Sequence, residues 1–120
     1  LYCQAHTILG AERFGCTKKR LEEVWNYANS SAFSNAEKAA LDFAFAAASV
    51  PNKVTEKEVS QLKNYWDEYD IVEIMGVIAL FGFLNRWNDS MGSALEDLPI
   101  EKGKEHLMEN TNWTPGKHRV

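Results

Sequence analysis

Between Asp70 and Asn85 the chain reads IVEIMGVIALFGFL, with Glu73 its one charge. No turn residue pair breaks the stretch, and Asp67 is placed to cap a helix running on to about Met91. A surface helix of a monomer carries one apolar stripe, whereas a helix apolar all round must be covered all round. Ile74 to Leu84 is an uncharged run of 11 residues. A bilayer needs about 20 apolar residues, so the run belongs to a protein interior or interface and not to a membrane. A second segment, AALDFAFAAASV (39–50), is small or aromatic on nearly every side. A chain of 120 residues has few other elements to cover both, because a small domain keeps a large surface for its mass. The expected remedy is a homo-oligomer with closed symmetry. The alanines of 39–50, with Gly76, Ala79 and Gly82, let helix backbones approach closely.

The remaining pattern is helical too, with no strand-like alternation between hairpin turns. A first helix is expected from Tyr2 to Phe14, stopped at Gly15. A second, capped by Thr17, runs through Leu21, Val24, Trp25 and Ala28. Ser34 with Glu37, and Thr55 with Glu58, are capping boxes. They open a third helix stopped by Pro51 and a short fourth reaching Trp66. Pro99 starts a short amphipathic piece to about Met108, and a Pro115-Gly116 turn follows. The expectation is an all-α, single-domain bundle over residues 1–120, of about six helices, without internal repeats.

Composition narrows the partners. The formal net charge is −4, and the basic run Lys18-Lys19-Arg20 is followed at once by Glu22-Glu23. Nucleic acid and anionic membranes need clustered cations, so neither is an expected partner. Two cysteines make no disulfide framework, and no secretory signal is visible in these residues. A cytoplasmic setting is the default expectation.

The chemistry-bearing residues stand at the start, in YCQAHT. Cys3 and His6 are three apart and share a helix face, while Ala5, Ile8 and Leu9 turn the other way toward a core. A helix N-terminus favours negative charge, and an imidazole nearby takes a proton. Together these predict a low-pKa, reactive thiolate at Cys3. The alternative from the same residues is a structural cysteine beside an ordinary histidine. Cys16 is thirteen residues on, roughly 20 Å along a helix axis, too far to pair with Cys3. His106 and His118 offer no ligand pattern for a four-coordinate zinc, so no metal is expected. Asn85 and Asp89, four apart, read as helix-pairing groups, and Trp113 as an anchor for the tail.

YCQAHT, SNAEKAALDFAFAAA, VIALFGFLNRWNDSMG and NWTPGKHR, in this order over nearly the whole chain, resemble the carboxymuconolactone decarboxylase family in its alkylhydroperoxidase-like branch. The resemblance implies an all-helical fold assembled as a dimer, trimer or hexamer. It also implies a Cys-x-x-Cys pair followed by a histidine. Cys3 matches the second, attacking cysteine and His6 the histidine. The first cysteine would immediately precede Leu1, and a relay glutamate would lie further upstream. The chain is therefore expected to be a C-terminal part of its natural protein, without one or more N-terminal helices. The histidine stands closer to the cysteine than in the peroxidases of the family.

The function expected is thiol-dependent reduction of a small hydroperoxide. Cys3 is the nucleophile and His6 the proton-moving group, with Tyr2, Phe81 and Asn85 lining the substrate pocket. No metal or organic cofactor is needed, only an external dithiol reductant. Two alternatives remain. One is a decarboxylase or other lyase on a small organic acid, with Cys3 incidental. The other is a non-catalytic helical oligomer of the same family. A resting thiolate at Cys3 favours the first function, and a thiol that ionises only at or above its ordinary value favours a lyase.

Overall fold

A computed structural model describes residues 1–119; Val120, with which the expected domain ends, lies outside them. The described residues form six α-helices and no strand: α1 (Tyr2–Arg13), α2 (Lys18–Glu23), α3 (Asn35–Ala48), α4 (Glu56–Lys63), α5 (Glu68–Met91) and α6 (Asp97–Thr111). Two 3₁₀ segments, Val24–Asn29 and Gly116–His118, join them.

The local signals act where the sequence placed them. Gly15 takes φ +86° and ends α1. The Thr17 side chain accepts from the Arg20 backbone N–H. Ser34 and Glu37, and Thr55 and Glu58, close reciprocal capping boxes. Asp67 Oδ1 accepts from the Asp70 N–H at 2.9 Å. Three boundaries differ from expectation. The second helix breaks after Glu23, and Asn26 takes φ −118°, ψ 28°. The β-branched and aromatic run Val24-Trp25-Asn26-Tyr27 has poor helix propensity, and Ser30 folds back to hydrogen-bond Glu23. α4 stops at Lys63, and Trp66 lies beyond it, its indole donating to the Ala36 carbonyl at 2.9 Å. α6 runs on to Thr111, where Asn112 enters the left-handed region at φ 53°.

The chain divides into two compact units. The second, Phe33–Phe83, is built on α3 packed against α4. Leu62 is fully buried there, and Phe33, Ala39 and Phe43 are buried with it. Its part of α5 has no such cover. No residue of α5 is buried, and Tyr69, Val72, Val77, Leu80 and Phe83 stand exposed. Within the second unit this apolar helix is thus not covered on every side.

The first unit holds Leu1–Ala32 and the chain from Leu84 onward. Here α1 and α2 pack on α6, around a core of Ala5, Ile8, Leu21, Leu95, Leu107 and Trp113. Lys102 of α6 joins Glu12 of α1 at 2.9 Å and Glu105 at 2.8 Å. The two carboxylates, Glu105 first, push its ammonium further up. The Trp113 ring lies across Gly103: a Cβ at that glycine would meet ring carbons at 2.6 Å. Neither an indole at 2% exposure nor the backbone of α6 can give way freely. Gly103→Ala is expected to cost about 1–3 kcal/mol through overpacking, read as a lowered midpoint in denaturant.

Candidate active site

Every residue of this site belongs to the first unit. Leu1 caps α1 without a side-chain bond, so Tyr2 and Cys3 occupy its first turn. Three other segments meet that turn: the end of α5 with Asn88 and Asp89, the approach to α6 with Ser93 and Glu96, and the C-terminal 3₁₀ turn with His118. Trp113 secures the tail. Its indole N–H donates to the Leu1 carbonyl at 3.2 Å, and the Leu95 N–H donates to the His118 carbonyl at 2.8 Å.

Cys3 is buried, with 9% of its surface open. Burial pushes its thiol up, because an ionised sulfur there loses hydration. A hydrogen bond from Asn88 works the other way, and the nearby Asp89 carboxylate adds to the rise. The expected low-pKa thiolate is therefore corrected: position at a helix start does not outweigh desolvation here. Alkylation of Cys3 by iodoacetamide should accordingly reach half its maximal rate above about pH 8.5, the value of free cysteine. Asn88→Ala should move that midpoint higher still, since it removes the donor that favours the thiolate. A midpoint near neutrality would contradict the first statement, and an unmoved midpoint in Asn88→Ala the second.

His6 sits on the same face of α1, half-buried, but it does not hydrogen-bond the thiol among the described residues. Its Nε2 lies 3.0 Å from Glu96 Oε2, and its Nδ1 is 3.3 Å from the Tyr2 carbonyl. Tyr2 is central to the site. Its ring centroid is 4.5 Å from that of His6 and 5.6 Å from that of His118. Burial, then the Glu96 charge, pushes its phenol up. Asn85 is exposed on α5. The residue that reaches the sulfur is Asn88, three positions on, whose amide also donates to the Leu84 carbonyl at 2.9 Å. Phe81 is half-buried and belongs to the second unit. Cys16 is half-buried and packed on the core of the first unit, a free thiol like Cys3.

The sequence pattern missed Asn88, Glu96 and the pair Asp89–His118. His118 has no exposed surface, and its side chain is within 2.9 Å of Asp89 Oδ1 at Nε2 and 2.8 Å of the Ser93 carbonyl at Nδ1. A ring buried this deeply needs both nitrogens satisfied, and they are. The one sequence signal was that Asn88, Asp89 and His118 fall inside the segments RWND and WTPGKH. Their separation along the chain hid the pairing.

Among the described residues no helix is long and apolar enough to cross a membrane. No family model matches the chain, and no curated protein does. Solved structures do. Two crystal structures of the debrominase Bmp8 superpose on it, one of the apo protein and one of a cysteine-to-alanine variant in complex with 2,3,4-tribromopyrrole. Each shares 34% sequence identity over 87% of this chain, at a TM-score of 0.82. The chain spans 56% of that protein's length. The all-helical fold is thus shared with a protein described as an enzyme.

Proposed function

We propose that this chain carries the nucleophilic part of a thiol-dependent reductase of the alkylhydroperoxidase-like branch of the carboxymuconolactone decarboxylase family, acting on a small hydroperoxide. The carrying observation is the Cys3 sulfur at the first turn of α1, hydrogen-bonded by Asn88 and flanked by two histidine–carboxylate pairs across the Tyr2 ring. Because the thiol is pushed up, a resting thiolate is not among the supports, and on this one point the site favours the lyase alternative. What keeps Cys3 in the reaction is the density of proton-handling groups around it.

In this reading Cys3 gives up its proton and attacks the outer oxygen of the hydroperoxide, and the O–O bond breaks. His6, drawing on Glu96 and solvent, protonates the leaving alkoxide, leaving an alcohol and a sulfenic acid on Cys3. One thiol of an external dithiol attacks that sulfur and expels water. The second thiol then displaces Cys3, giving the oxidised dithiol and restoring the thiol. The chain needs no metal or organic cofactor for these steps.

A second reading, reductive dehalogenation, is favoured by the similarity to a debrominase. In that reading the bromine-bearing carbon of a bromopyrrole takes a proton, the same sulfur attacks the bromine while the C–Br electron pair returns to the ring, one thiol of the dithiol expels bromide from the sulfur, and the second thiol displaces Cys3. The two are separated by incubating the full chain with dithiothreitol and either cumene hydroperoxide or 2,3,4-tribromopyrrole. Loss of hydroperoxide supports the first reading, bromide release without it selects the second, and neither would dispose of both.

The apolar side of α5 supports a homo-oligomer as the working form. An exposed row from Tyr69 to Phe83 exceeds the scattered apolar residues usual on a monomer. Sedimentation equilibrium should give a mass that is a multiple of the chain's, and Leu80→Lys with Phe83→Lys should reduce it to one chain. A parent protein that sediments as one chain would refute this.

A further inference from the structure

We propose that the groove between α3 and α5 binds a small amphipathic cation, an aryl or alkyl ammonium whose apolar body lies on the alanines of α3 and whose charged end meets Glu73 and Asp70. The groove lies wholly in the second unit, so the proposal is independent of the reading of Cys3. Its volume is about 400 Å³, within the roughly 300–1,000 Å³ of small-molecule pockets. The room comes from composition. Ala40 and Ala44 line it one turn apart on α3 and present only methyl groups. On α5 the lining residues Asp70, Glu73, Ile74, Val77 and Ile78 follow the spacing of a single helix stripe. That stripe is turned by roughly a third of a circle from Tyr69, Val72, Leu80 and Phe83. The groove therefore faces a different way from most of the exposed row offered above as an interface.

Two carboxylates in an otherwise apolar wall decide the class of ligand. Asp70 and Glu73 stand three apart, one above the other on α5. Neither forms an ion pair among the described residues, and no lysine, arginine or histidine lines the groove. Asp70 is partly engaged, because its Oδ2 accepts from the Asp67 N–H at 3.3 Å across the first turn of α5. Glu73 is exposed and has no hydrogen-bond partner among the described residues. Like charges this close on a helix repel one another, and a ligand cation beside them removes that repulsion. Trp66 lines the groove four residues before Asp70, and its indole is fixed by donating to the Ala36 carbonyl at 2.9 Å. A cation is drawn to such a ring. An anion is repelled by both carboxylates, and a purely apolar ligand leaves them without a partner.

The test titrates the full chain and follows the NMR shifts of its alanine and isoleucine methyl groups. Three probes of similar shape differ in charge: phenylethylammonium, neutral phenylethanol and anionic phenylpropionate. The ammonium should shift the methyls of Ala40, Ala44, Ile74 and Ile78 to saturation. The alcohol should bind them more weakly and the carboxylate not at all. Glu73→Gln should weaken the ammonium about two- to fivefold, the range of one exposed charge pair, and leave the alcohol unchanged. Salt near about 1 M should weaken the ammonium alone, by screening. Ala44→Leu, which fills the groove, should remove the shifts given by both the ammonium and the alcohol. Equal binding of alcohol and ammonium would overturn the proposal, as would an ammonium affinity unchanged in Glu73→Gln. Methyl shifts that follow the concentration of the chain and ignore the ammonium would assign the groove to a second copy, and the proposal would fall. Glu73→Gln changes an exposed residue and does not threaten folding, so this variant decides the matter even where Ala44→Leu fails to melt cooperatively.

Discussion

Cys3→Ser is expected to abolish hydroperoxide turnover while leaving the chain folded. Serine is close to cysteine in size, and its hydroxyl keeps a partner in Asn88, so the first turn of α1 has no reason to rearrange. Chemically the exchange is total. A hydroxyl ionises far above the range of any group in the site, and an alcohol oxygen does not form the sulfenic acid on which the dithiol acts. The decline should therefore reach the rate of dithiothreitol and hydroperoxide alone. The measurement is hydroperoxide consumption beside a thermal melt of the same sample. Turnover surviving in a protein that melts like the parent would remove Cys3 from the mechanism. A lyase acting through His6 would then be the reading to pursue.

Trp113→Ala is expected to cost about 3–5 kcal/mol, the range for deleting a large buried aromatic. A domain of this size has about 5–15 kcal/mol in total, so much of the stability goes with one side chain. The size follows from what the indole does. At 2% exposure it fills the core of the first unit, lies on Gly103 and donates to the Leu1 carbonyl. Removing it opens a cavity beside α6, leaves that carbonyl with the Ala5 N–H alone and frees the segment that ends in His118. Urea denaturation should show the lower midpoint. Trp113→Phe, which keeps most of the ring but not the N–H, should cost about 1 kcal/mol more than zero on account of the lost bond. A Trp113→Ala protein as stable as the parent would mean that the tail does not hold the first turn of α1 in place.

The two largest effects thus fall on opposite ends of the chain, which explains how much of the site was legible beforehand. Cys3 and His6 stand within one turn, so spacing alone put them on one face. The partners that set their chemistry are far away in sequence: Asn88 and Asp89 after the apolar helix, Glu96 before α6, and His118 near the C-terminus. Spacing carries no information across such gaps. It also led to the wrong sign for the thiol. A helix start and a nearby histidine both favour a thiolate, but the loss of hydration at Cys3 depends on packing that no local pattern reports.

By itself the sequence determined what is decided by groups a few residues apart: helices throughout, the capping boxes at Ser34 and Thr55, the stops at Gly15 and Pro51, and a helix from Asp67 too apolar to be a lone surface helix. Hydrogen bonding between near neighbours and the 3.6-residue period settle such features wherever the chain later folds. Tertiary structure alone decided which residues of α5 stay exposed, that His6 faces Glu96 and not the sulfur, and that a buried His118 grips Asp89. These depend on which surfaces meet and which lose water, and dehydration and long-range contact exist only once the chain has closed on itself.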